Sequence, residues 1–286
     1  MPEGDTIRRL ADRIQQRFAG QQCVRCVMRD PRLSGVDFTG CVLLSAEAVG
    51  KHLLLRFDNG ETLHSHLKMA GSWTVGPAAT EPEWRRRVEL WMQNGRLSAI
   101  DMPILTRIRT TDEADVVGYL GPDLCTAQAP DVDEIVGRLQ REPAVPLAGA
   151  LLDQRNVAGF GNVYVVELPF IVGVSPYQPV GTISDLASAV GIGAALIRCN
   201  AGRSQRNTTG RKLNTADHWI YGKRAKSCPL CGARLDSCSD ALSPWRRAST
   251  WCPACQPLVD ERAVDLRRAR EMLGLHPARR ELAFPR

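Results

Sequence analysis

The sequence predicts an α+β chain with a β-rich first half, a helical second half and a small metal-bound ribbon near its end. Three observations carry that expectation. Between residues 22 and 110 the apolar period is that of strands, and two pairs of strand-like runs are joined through Asn59-Gly60 and Asn94-Gly95, the dipeptide best suited to a two-residue hairpin. From residue 133 onward the period becomes that of helices. Cys228-Pro-Leu-Cys231 and Cys252-Pro-Ala-Cys255, twenty residues apart, have the spacing of a four-thiolate structural zinc site.

Ile7, Leu10, Ala11, Ile14 and Phe18 fall on one face of a helix that starts just after the terminus. Glu3 and Asp5 suit the positive end of its dipole, and Gly4 frees the backbone to turn so that Pro2 projects. Val24, Cys26 and Met28 then alternate. Leu53–Phe57 pairs with Thr62–Leu67, and Val88–Met92 with Leu97–Ile100. This half, residues 2–126, reads as an antiparallel β-sandwich, or a barrel, with a leading helix.

Gly121-Pro122-Asp123 stops the strands, and residues 127–132, with Pro130, read as a linker. A helical domain over 133–222 follows, with helices at Asp133–Arg141, Leu147–Gln154, Val163–Leu168 and Ile183–Cys199. Between the second and third lies Asn156-Val157-Ala158-Gly159-Phe160-Gly161-Asn162, a tight turn whose last residue can cap the next helix. Its amides suit a phosphate or serve a plain corner between helices. Residues 201–216 are polar, basic and Gly-containing, and are expected to be mobile unless an anion orders them. The ribbon occupies 223–257 and carries Trp245, Arg246 and Arg247 in its inner loop. An extension, 258–286, holds Leu266, Ala269, Met272 and Leu273 at the spacing of a short amphipathic helix.

Composition narrows the class. With 286 residues, 44% hydrophobic and 24% charged, the chain can build two cores. No run approaches the roughly 18 apolar residues of a membrane span, and the charged start is no secretory signal, so a cytoplasmic location is expected. A formal net charge of +6, with basic residues gathered between Arg203 and Arg247, permits a polyanionic partner without demanding one. Of ten cysteines, Cys23, Cys26, Cys41, Cys125, Cys199 and Cys238 read as ordinary thiols. Cys228, Cys231, Cys252 and Cys255 read as ligands of one structural Zn2+, which four thiolates leave no open position for hydrolysis.

The first residues carry a distinct chemistry. Removal of Met1, which a small Pro2 permits, exposes a secondary amine. A terminal amine has a pKa of about 8 and is partly unprotonated at neutral pH, so it can attack an aldehyde-like carbon as a nucleophile. Glu3, adjacent, can move protons for it.

The Pro-Glu-Gly start, Gly50-Lys51-His52-Leu53-Leu54, Ser65-His66-Leu67-Lys68-Met69-Ala70-Gly71, Leu152-Asp153-Gln154 leading to Val157-Ala158-Gly159-Phe160-Gly161-Asn162, Tyr221-Gly222-Lys223, and the four-cysteine ribbon with Arg247 together resemble the Fpg/Nei family of DNA glycosylases. The matches run in order over nearly the whole chain. The resemblance implies a β-sandwich, a helix–two-turn–helix domain and a zinc-ribbon hairpin. It also implies a bifunctional DNA glycosylase and AP lyase of base excision repair. In that reading Pro2 attacks C1′ of the damaged nucleoside and Glu3 shuttles protons through β,δ-elimination. Lys51, on the strand Lys51–Phe57, contacts the phosphate beside the lesion, Asn162 and Arg247 pinch the flanking phosphates and kink the duplex, and Met69 fills the hole left by the extruded nucleotide. The partner is damaged DNA met by a monomer in the cytoplasm, at the nucleoid, with no nucleotide cofactor and no membrane. Thr6 stands where the family often has Glu. Residues 101–115 lack the Arg-x-Phe wedge of the purine-directed branch, which tilts the assignment to the endonuclease VIII-like branch and oxidised pyrimidines. The alternatives are a purine-directed formamidopyrimidine/8-oxoguanine glycosylase and a non-catalytic zinc-ribbon damage sensor.

Overall fold

A computed structural model describes residues 2–77, 81–126, 128, 130–211, 215–238 and 249–282. In chain order the first elements are α1 (Gly4–Phe18), β1 (Cys23–Met28), β2 (Leu43–Val49), β3 (His52–Phe57), β4 (Glu61–His66), β5 (Ser72–Gly76), β6 (Arg86–Met92), β7 (Gly95–Ile100), β8 (Ile104–Arg109) and α2 (Ala114–Val117). They are followed by α3 (Val132–Leu139), α4 (Leu147–Leu152), α5 (Asn162–Ile171), β9 (Ile183–Ser184), α6 (Leu186–Ala201), β10 (Asp236–Cys238), β11 (Ser249–Trp251), β12 (Arg262–Ala263) and α7 (Leu266–Met272). Contacts divide the chain into two compact units, Met1–Tyr119 and Leu120–Arg286.

The first unit holds two four-stranded antiparallel sheets, β1-β6-β7-β5 and β2-β3-β4-β8. Both Asn-Gly steps join the strands expected of them, β3 to β4 and β6 to β7. The apolar stripe of α1, Ile7, Leu10, Ala11, Ile14 and Phe18, shares one core with Leu53, Leu55 and Phe57 of one sheet and Val88, Leu90 and Leu97 of the other. Gln15 of α1 also accepts the Ala46 amide of β2 at 2.7 Å. The four large side chains of this stripe make it worth several kcal/mol by area, on the order of 1.5–3 kcal/mol each. The helix starts at Gly4 rather than Ile7, so Gly4 is the first helical residue and supplies no separate turn.

The second unit is helical. Leu139, Leu151, Phe160, Tyr164, Leu168, Leu186, Leu196 and Ile197 are fully or almost fully buried in one core. Leu124 and Cys125 belong to this core too, and the Gly121 amide donates to the Gln154 carbonyl at 2.8 Å; residues 120–126 thus pack here, ahead of the expected 127–132 linker. The single helix expected over Ile183–Cys199 is a two-residue strand and then α6, because the Asp185 side chain accepts the Ser188 amide and caps a new start. No helix among the described residues is long and apolar enough to cross a membrane.

The expectation of mobility for 201–216 is overturned for its described part. Asn207, Thr208 and Thr209 are buried, and the organiser is Glu167 on α5, itself wholly buried. Its carboxylate accepts from the amides of Trp219, Ile220 and Tyr221 at 2.7, 2.8 and 2.7 Å and from the Thr208 hydroxyl at 2.5 Å. A buried charge is tolerable only when its lone pairs are filled, and here four donors fill them. Glu167→Gln turns an NH2 group against those amides. It should cost the second unit at least about 3 kcal/mol, the range for a buried charged hydrogen-bond set left partly unmatched, which thermal melts of the full chain would register as an early transition.

Candidate active site and metal centre

Pro2 is half-buried, and Glu3 after it is fully buried. The Glu3 carbonyl accepts the Thr6 and Ile7 amides at 2.9 and 3.1 Å, so Glu3 is fixed by the first turn of α1. Asp5 lies in that turn, and its side chain accepts the Thr6 amide at 2.6 Å. An acid at this end of a helix is stabilised by the dipole. The terminus therefore has a stiff mount.

Lys51 is not on a strand. It occupies the two-residue turn between β2 and β3, where Val49 pairs with His52 and Gly50 takes a left-handed φ of 57°. Glycine adopts that conformation without strain, which is how so short a turn closes. Met69 lies in the turn between β4 and β5, 64% exposed, and Lys68 before it has a φ of 48°. A methionine so placed is available to a partner.

The outer face of the β2-β3-β4-β8 sheet was not read from the sequence. Because side chains alternate, His52 and Leu54 point away from Leu53 and Leu55 of the core, and across the ladder His52 faces His66 while Leu54 faces His64. The polar chain runs from Thr106 Oγ1 to His64 Nδ1 at 2.9 Å, from His64 Nε2 to His52 Nδ1 at 2.8 Å, and from His52 Nε2 to the Tyr119 hydroxyl at 3.1 Å. Only a three-dimensional register brings these residues together; the alternation His64-Ser65-His66 was the one available signal.

Burial pushes the histidines down: His52 to about 3, with His66, His64, Lys68 and Lys51 adding to the effect, His64 to about 4, and His66 to about 4, again with Lys68 and Lys51 behind burial. All three are neutral in the folded chain at pH 7. Their contribution to stability is complete above the ordinary histidine pKa of about 6.5 and drains away as the pH falls toward the depressed values, since the unfolded chain then binds the protons. The sheet unit should lose stability between about pH 6.5 and 4. In His64→Gln that slope should be shallower by about one proton, roughly 1.4 kcal/mol per pH unit, as read by urea titrations at several pH values.

In the second unit, Asn162 is the first residue of α5, and Gly161 rather than Asn162 holds the capping position. The turn before it is stitched by Gln154, whose side chain accepts the Gly159 amide at 3.1 Å and donates to the Leu152 and Phe160 carbonyls at 2.9 and 3.0 Å. Gly159 stands at φ 106°. Arg247, with Trp245 and Arg246, lies outside the described residues.

The four paired cysteines converge. The sulfurs of Cys228, Cys231, Cys252 and Cys255 all lie within 4.8 Å of one another, with Cys228–Cys255 at 3.9 Å and Cys231–Cys252 at 3.5 Å. A tetrahedral zinc with bonds of about 2.3 Å sets its sulfurs about 3.8 Å apart, so the cluster fits that ion. β10 and β11 pair between the two knuckles. Cys238, on β10, is not among the four.

A helix-led pair of sheets followed by a helical unit with a four-thiolate cluster is the architecture of a formamidopyrimidine-DNA glycosylase. The solved structure of the Lactococcus lactis enzyme, non-covalently bound to DNA containing an AP site, matches with a TM-score of 0.73 at 22% identity, covering 90% of this chain and 100% of that one. Residues 1–108 match the formamidopyrimidine-DNA glycosylase N-terminal domain. Among curated proteins, the probable endonuclease 8 2 of Streptomyces coelicolor is 39% identical over 264 residues, 90% of this chain and 94% of that protein. The DNA-(apurinic or apyrimidinic site) lyase Nei2 of Mycolicibacterium smegmatis is 38% identical over 258 residues, 90% and 99%. This chain belongs to the Fpg/Nei family of DNA glycosylases, in its endonuclease 8 branch.

Proposed function

We propose that this chain excises oxidised bases from DNA, pyrimidines above all, through an imine on Pro2, and then cuts the strand. The broader activity, DNA glycosylase and AP lyase in base excision repair, comes with its family and with relatives named for the AP lyase reaction. What carries the finer reading is the start of the chain: an imino acid at position 2 followed by a wholly buried Glu3, whose carbonyl is fixed by the first turn of α1.

The chemistry closes without a redox partner. The Pro2 nitrogen adds to C1′, the C1′–base bond breaks, and the base leaves with the pair and takes up a proton. Glu3 protonates the ring oxygen as the sugar opens, which gives an iminium between Pro2 and C1′. The iminium acidifies C2′, so a base removes that proton and the 3′ phosphate leaves by β-elimination. A second proton loss expels the 5′ phosphate, and water then frees Pro2. One amine thus accounts for both activities.

Lys51, in its tight turn, supplies a point charge for the phosphate next to the lesion. Asn162 at the start of α5 and Arg247 on the ribbon hold the flanking phosphates, and Met69 takes the space of the extruded nucleotide, an apolar wedge offsetting lost stacking. Cys228, Cys231, Cys252 and Cys255 hold one Zn2+, which fixes the ribbon that carries Arg247. The partner is kinked DNA and the working unit a monomer. The missing Arg-x-Phe wedge favours pyrimidine lesions.

Borohydride added to the protein on abasic-site DNA should trap a covalent adduct, and one residue added before Pro2 should abolish it. DNA affinity without adduct or cleavage on thymine glycol, dihydrouracil and 8-oxoguanine substrates would instead favour a non-catalytic binder. Arg247→Ala should weaken binding to all sequences alike and lower the salt slope by about one unit, the signature of one lost phosphate contact. An unchanged slope would remove Arg247 from the interface.

A further inference from the structure

Two stretches are left unused by this reading, the basic residues after α6 and the extension after Gln256. The structure joins them. β12 pairs in parallel with β9, and Asp265 caps α7 by accepting the Arg268 amide at 2.8 Å. Arg268 reaches the Phe170 carbonyl at 2.5 Å and stacks on the Phe170 ring, 4.8 Å from its centroid, so the extension grips the end of α5. Ala269, Met272, Leu273 and Ala278 are buried in the core of the second unit. The extension is part of the fold.

Beyond α7 the chain delivers His276, 2% exposed, to the loop Arg203–Arg211. The Ala278 amide donates to His276 Nδ1 at 3.1 Å, so Nδ1 is the acceptor and the ring proton sits on Nε2. From there it is donated to the Asn207 carbonyl at 2.9 Å. Asn207 in turn shapes the loop: its side-chain oxygen accepts the Thr209 and Gly210 amides at 3.1 and 2.7 Å, and its own amide donates to Asn200 of α6 at 2.9 Å. Gly210, at φ 73°, lies so close that an added Cβ would stand 2.6 Å from the His276 nitrogen. The two backbones are in contact.

The same loop carries three arginines. Arg206 lies over the ring of Tyr164, 5.4 Å from its centroid, and Arg211 over that of Trp219 at 4.6 Å. Tyr164 is in the first turn of α5, the helix that begins with Asn162. We infer that the segment Arg262–Leu282 is a strut and that its His276 is a positioning residue, holding Arg203–Arg211 against α5 in the shape that receives the phosphates of DNA. The inference rests on the DNA reading for the identity of the ligand. A preshaped loop binds more tightly because its ordering cost is met before the partner arrives.

The test uses the full chain with two readouts. Amide hydrogen exchange of residues 203–211 without DNA reports the strut alone, and affinity for abasic-site DNA reports its purpose. His276→Ala should speed exchange in the loop about tenfold, leave exchange in the sheet unit unchanged and weaken DNA binding about tenfold. Borohydride trapping at saturating DNA should persist, because the terminus is untouched. Gly210→Ala strikes the same contact from the other side and should reproduce both effects; it serves if His276→Ala does not fold. His276→Gln, which keeps a donor for the Asn207 carbonyl, should recover most of the affinity. Unchanged exchange in both variants overturns the strut, and faster exchange with unchanged affinity overturns its role in binding. Failure of the wild type to trap at all would strike the imine reading and leave the exchange result standing.

Discussion

The second unit depends on a charge that has been taken out of water. Desolvating a carboxylate costs far more than any single contact returns, and the Glu167 carboxylate is met by four donors supplied from residues far along the chain. Those donors are the backbone of Trp219–Tyr221 and the hydroxyl of Thr208, so satisfying one side chain of α5 fixes the chain at two points between α6 and the ribbon. The Glu167 side chain is a small template on which a polar segment with little apolar content of its own can fold.

The first unit meets a related problem differently. Its sheet hides apolar residues on one face and polar ones on the other, and the outer face still buries His52 and His64 and half-buries His66. Imidazole can be buried because it can be neutral, and the alternation of donor and acceptor along Thr106, His64, His52 and Tyr119 lets each ring nitrogen find a partner. Lys51 and Lys68 stand close enough to this surface to push His52 and His66 further down.

Much of this was legible in the residues. The spacing of Ile7, Leu10, Ala11, Ile14 and Phe18 gave α1, the two Asn-Gly steps gave their hairpins, and the two Cys-Pro-x-Cys knuckles gave the cluster, because each is a local signal with one good structural answer. The illegible parts need partners distant in sequence. Nothing in Val163–Leu168 says that Glu167 will be buried, and its neighbours argue for a plain apolar helix. The polar run after Ala201 looks like disorder until Glu167 and His276 are brought to it. Gly50-Lys51 closes a hairpin without the usual Asn-Gly signature, so its turn was hidden inside a strand. Among the site residues, Pro2, Glu3 and Asn162 sit at starts of helices, where sequence is informative, whereas the histidine chain exists only through cross-strand register.

The strut also sets an order of events during synthesis. Domains form from the N-terminal side as the chain is made, so the sheets can close while His276 is still in the ribosome. His276 is made some 65 residues after the end of the arginine loop that it braces, and that loop cannot take its finished form before His276 emerges. A chain arrested before His276 would therefore carry a complete N-terminal unit and an unfinished arginine loop, and emergence of His276 would be the step that completes it.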